Sequence, residues 1–160
     1  MKKLIWVLVF LCLSSLLVSS AMAGKTDRLC YDFDARVVRV KERIAWNERR
    51  FFEDLAGLKQ DRARTQRNPR LALADDKLSL AISLCNDGLN QVQVLKDRVP
   101  REIECGDKRR AVRRQMDVEV KALNDVEGQI SNLNTIVNQY RSLRLEAASI
   151  IQNVEGGSRY

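Results

Sequence analysis

The sequence predicts an all-α fold: an elongated antiparallel three-helix bundle or coiled coil, running up-down-up, with a long third helix. Three observations predict it. Apolar residues recur at heptad spacing through the last third of the chain, with Met116, Leu123, Ile130, Val137 and Ile151 on one row and Val126, Leu133, Tyr140, Ala147 and Val154 on its companion. Only 2 prolines occur in 160 residues, and the composition favours helix formers. Aromatic residues are 6% of the chain, which suits thin coiled-coil layers better than a wide globular core.

The first 23 residues read as a cleaved signal peptide. Lys2 and Lys3 precede the apolar run from Leu4 to Val18, and Ala21-Met22-Ala23 is a small-x-small cleavage box before Gly24. Leu11 before Cys12 rules out a lipidation site. The segment predicts export to the periplasm or beyond, and the lack of any Asn-x-Ser/Thr sequon fits a bacterial envelope. Residues 24–160 then form a single helical-bundle domain. The net charge of +7 falls to +5 once Lys2 and Lys3 are removed, so the exported chain stays basic. A basic exported chain meets anionic envelope surfaces or acidic proteins before nucleic acid.

The first helix is expected over 27–66. Cys30, Val37, Ile44, Phe51 and Leu58 share one row, with Phe33 and Val40 beside it. Tyr31, Val38, Ala45 and Phe52 form a further row, so the apolar face is wide enough to pack against two neighbours. Asn47 sits at a seam position, either buried to set register or half-exposed. Trp46 projects away from the seam, as a partner anchor or packed under the third helix.

Asn68 and Pro69 cap and start the second helix, expected over 69–99, with Leu71, Leu78, Cys85, Val92 and Val99 on its inner row. Asn86-Asp87-Gly88 is a soft spot inside it. The third helix is expected over 107–154, ending before Gly156-Gly157. Either it is continuous or it folds back near Gly128. With a short second turn it outruns the second helix by roughly 15 residues. That overhang exposes Tyr140, Ala147, Ile151 and Val154 as a self-association strip.

Histidine is absent, which removes the commonest general base and metal ligand together. No Cys-x-x-Cys pair, phosphate loop or nucleophile elbow occurs. The expectation is therefore no enzyme, cofactor or metal site. Lys59, Arg62, Arg64, Arg67 and Arg70 form a basic tip around the first turn, a candidate contact for an anionic surface or partner, against the plain reading of a solvated charge run. A second cluster, Lys108 to Arg114, is expected near the level of Glu42.

Three cysteines follow the signal segment. Residues equidistant from the turn at Arg67–Asn68 stand at equal height, which pairs Cys30 with Cys105 and leaves Cys85 a free core thiol. The alternatives are reduced thiols throughout or a bond between chains. Two functions fit: an exported binding or chaperone-like module using apolar faces and a basic tip, or an assembly component that forms a homo-oligomer through its C-terminal helix.

Overall fold

The computed structural model describes residues 2–101 and 109–156, with side chains described over 28–101 and 114–156. Within these residues the chain is three helices and a single 3-10 turn, with no strand. Helix α1 spans Lys2–Thr65, the 3-10 turn Pro69–Leu71, α2 Ala72–Arg98 and α3 Arg109–Gly156. The helices pack against one another up-down-up as an all-α three-helix bundle. Helix α1 does not begin at Asp27. It runs back through a leucine-rich segment to Lys2, with no proline to stop it. The proposed cleavage box lies outside the described side chains. Among the described residues no helix is long and apolar enough to cross a membrane.

The predicted seams make the core. Cys30, Phe33, Val37, Val40, Ile44, Phe51 and Leu58 of α1 are buried, facing Leu78, Cys85 and Val92 of α2 and Leu123, Ile130, Leu133 and Val137 of α3. Helix α3 is continuous through Gly128. Gly88 does not interrupt α2 either, and its lack of a side chain has a use. A Cβ there would fall well inside contact distance of the Phe51 ring, so the glycine is the slot that admits the ring.

The level of α3 differs from the expected one. On the α2 side Lys77 pairs with Glu146 at 2.7 Å, and Arg98 donates to the side-chain oxygen of Gln129 at 3.5 Å. On the α1 side Arg36 reaches Asn124 and Glu127, and Arg144 reaches Asp61. The C-terminal end of α3 therefore stops at the level of the first turn and overhangs nothing. Its N-terminal 20 residues, from Arg109 to the level of Arg98, instead run past α2 along α1, over about 30 Å at helical rise. Tyr140 and Ala147 are buried in the chain's own core, and Ile151 and Val154 are half-buried against it. The strip expected to seek a second copy is thus covered from within. Glu42 also lies well beyond the basic start of α3, because Arg36 already sits beside Glu127.

Candidate functional site

The first turn is held by a compact set of local bonds. The Thr65 hydroxyl lies 2.8 Å from the Arg62 carbonyl oxygen and 3.1 Å from an Asp75 carboxylate oxygen. That same oxygen accepts from Arg62 Nε at 3.2 Å, tying the end of α1 to the first turn of α2. Asn68 adopts an extended backbone and its side-chain oxygen accepts from the Arg70 amide at 3.0 Å, with Pro69 next, a helix-start arrangement read directly from sequence. Leu71 and Thr65 are buried beneath.

This turn sorts the five predicted cations. Arg62 belongs to the turn itself, neutralised by Asp75. Lys59, Arg64, Arg67 and Arg70 are exposed, and none has an ion-pair partner among the described residues. Arg62 and Arg64 also lie in the last turn of α1, where cations offset the helix dipole by a few tenths of a kcal/mol each, roughly. That effect accounts for Arg64 but not for Arg67 or Arg70, which lie beyond the helix. Beside the tip, a cavity of about 360 Å³ opens between the ends of α1 and α3, with Leu71, Leu78 and Ile151 in its walls and Arg64 at its edge. Arg144 also lines it but is spent on Asp61, with Nε at 2.8 Å and a terminal nitrogen at 2.7 Å.

A second polar group lies mid-bundle, and sequence reading missed it. The Tyr140 hydroxyl donates to Asp54, which also takes Arg141 at 3.2 Å. The Tyr140 and Phe51 rings lie 5.9 Å apart, tilted. Cys85 donates its thiol to the Phe51 carbonyl oxygen at 3.2 Å, and burial pushes this thiol up to about 11. Such a thiol is held neutral and is a poor nucleophile. The available signal was the seven-residue spacing that placed Tyr140 on the seam opposite helix one, where its hydroxyl needed a partner. Asn47 is buried, donating to the Arg43 carbonyl at 2.8 Å while its side-chain oxygen has no hydrogen-bond partner among the described residues. Trp46 is exposed with the Arg50 guanidinium 5.1 Å above its ring, not packed under α3.

Of the cysteines, Cys85 is a buried free thiol. Cys30 is buried and does not stand as a free thiol. Cys105 lies outside the described residues, as do Lys108 and the tail from Gly157. Among the described residues no cluster of metal-ligating side chains occurs. Compared with known protein families, curated proteins and solved structures, the chain matches none, so geometry alone carries the functional reading.

Proposed function

We propose that this chain is an exported helical binding module of a bacterial cell envelope, which docks on anionic surfaces through its basic tip. The observation that supports the reading is the division of labour at the first turn. Asp75 and Thr65 immobilise the backbone, while Lys59, Arg64, Arg67 and Arg70 are presented to solvent with no ion-pair partner among the described residues. Four exposed cations on a rigid turn make a field that weakens steeply with salt. Sedimentation with vesicles of anionic phospholipid at low ionic strength should carry the protein down. Raising salt to about 1 M, where the Debye length is near 3 Å, should release it. R64E/R67E should abolish the binding without loss of helicity, since both side chains are exposed. Failure of the wild type to sediment at low salt would remove the lipid surface as the target.

Export also bears on the cysteines. In an oxidising compartment Cys30 should close onto Cys105, with Cys85 spared by its burial. From Arg98 beside Gln129 to Arg109, the chain must cover about 30 Å, and Cys105 lies roughly midway along it in sequence. The midpoint of that distance is near the height of Cys30 on α1. Non-reducing peptide mapping should join those two cysteines. A Cys30–Cys85 link, or none, would count against both the bond and the export reading.

The second reading, an assembly component, gains its support from a different place: the apolar row Tyr31, Val38, Ala45 and Phe52 remains uncovered on α1.

A further inference from the structure

The bundle uses one side of α1 and leaves the other. Its core direction is set by Val37, Ile44, Phe51 and Leu58, all buried. About a third of a turn away, Tyr31, Val38 and Phe52 are 83%, 45% and 57% exposed, with exposed Ala45 between the last two. This is a heptad row of the kind that seats another helix, about 31 Å from end to end. Four charges line one side of it: Arg39, Glu42, Arg49 and Glu53. All four are exposed and none has an ion-pair partner among the described residues, although the bundle pairs Arg36, Lys96, Arg141 and Arg144 with carboxylates.

The pattern is complementary to itself. Turn a second α1 antiparallel on the first, with the two-fold axis beside Ala45, and Val38 meets Phe52. In the same alignment Glu42 stands opposite Arg49, and Arg39 opposite Glu53, each pair occurring twice. Ala45, small enough to let the helices approach, lies at the axis. A parallel two-fold pairing would instead put these residues of the two copies on opposite sides of the interface, where neither pair can form. We infer that a second copy of this chain docks antiparallel on the Tyr31–Phe52 face of α1, forming an isologous dimer. In this dimer Lys59, the next position of the row, stands level with Tyr31, while Arg64, Arg67 and Arg70 remain free at opposite ends, so the docking leaves those three arginines of the tip available.

Sedimentation equilibrium of the purified chain, processed as the cell processes it, tests this. The wild type should show twice the monomer mass. V38D/F52D should weaken dimerisation more than about a hundredfold, because four apolar side chains lose their burial. Its circular dichroism should not change, as both positions are exposed in the monomer. E42R alone, which sets arginine against Arg49 at two places, should weaken the dimer by on the order of tenfold. E42R/R49E should restore it, because the exchange preserves each antiparallel pair. A monomeric wild type would overturn the inference and leave the face to an unlike partner. A dimer that ignores V38D/F52D would place the interface elsewhere, and absence of charge rescue would overturn the antiparallel docking.

Discussion

Phe51 and Phe52 are neighbours of identical chemistry with opposite fates. The first is fully buried, inserted over Gly88 and against Tyr140; the second stands in solvent. Val37 and Val38 repeat the contrast, as do Ile44 and Ala45 about two turns further on, and Cys30 and Tyr31 open it. The two faces of α1 are both apolar, so hydrophobicity alone does not say which is core. What decides is how the other two helices are seated. Helix α3 lies over the Cys30–Leu58 row and its neighbours, joined by α2 over the part from Ile44 to Leu58, and no fourth helix is present among the described residues to cover the rest.

Truncating each phenylalanine in turn separates the two faces by the largest expected margin. Phe51→Ala empties a site walled by Tyr140, Cys85 and Gly88, and should destabilise the chain by about 3–5 kcal/mol in urea unfolding. Phe52→Ala should stay within about 0.5 kcal/mol when measured at concentrations where the chain is monomeric. Comparable losses at the two positions would mean that the outer face is covered within the chain.

A second pair, of glycines, sharpens the same contrast. At Gly88 an added methyl group collides with the Phe51 ring, and a buried aromatic held on several sides has little room to give. Gly88→Ala should therefore cost roughly 1–3 kcal/mol, despite a helix-propensity gain near 1 kcal/mol. At Gly128 an added Cβ meets nothing within 4 Å, so Gly128→Ala should show the propensity gain alone, up to about 1 kcal/mol. Thermal or urea midpoints moving in opposite directions would confirm the slot; a shared direction would deny it.

These residues also show what the sequence made legible. The heptad rows identified the core side chains and three helices, and the expected ends at the two connections fall within three residues of the observed ones. The height of α1 against α2 was also legible, because Asn68-Pro69 marks a tight turn and a tight turn sets register. The height of α3 was not. Sliding α3 by about 18 residues, five turns at 3.6 residues each, brings the same face back to the same partners. Periodicity is blind to such a slide, and the span between Arg98 and Arg109 carries no turn signal as clear as Asn68-Pro69. That slide is why Tyr140 and Ala147 were expected in an overhang but lie in the core. Likewise the tip was visible as five cations, yet only the fold shows that Arg62 serves Asp75 while the others have no ion-pair partner among the described residues. The row chosen for the core on α1 was legible; the surplus row was too, but not its exposure.

The last difference between the faces is chemical, and it appears at alkaline pH. The inner face offers the Phe51 carbonyl to the Cys85 thiol, which burial and the nearby Asp54 charge raise from an ordinary value near 9 to about 11, partly offset by Lys59. Burial and the hydrogen bond to Asp54 likewise raise the Tyr140 phenol well above its usual range. Both groups are neutral when protonated, so the native state holds their protons more tightly than the unfolded chain does. Between pH 9 and 11 the unfolded chain loses the thiol proton first, and stability falls as pH rises. The slope for one such group approaches ~1.4 kcal/mol per pH unit, giving a loss of about 1 kcal/mol by pH 10. Tyr140 adds its own decline above the ordinary tyrosine value of about 10. Urea midpoints for the wild type should therefore be level from pH 7 to 8.5 and drop through pH 10. Cys85→Ala should flatten the first part of that drop and leave the part above pH 10, which belongs to Tyr140. Stability that holds level to pH 10 in the wild type would mean that the thiol is not kept protonated against Phe51, and the packing of the inner face would need to be redrawn.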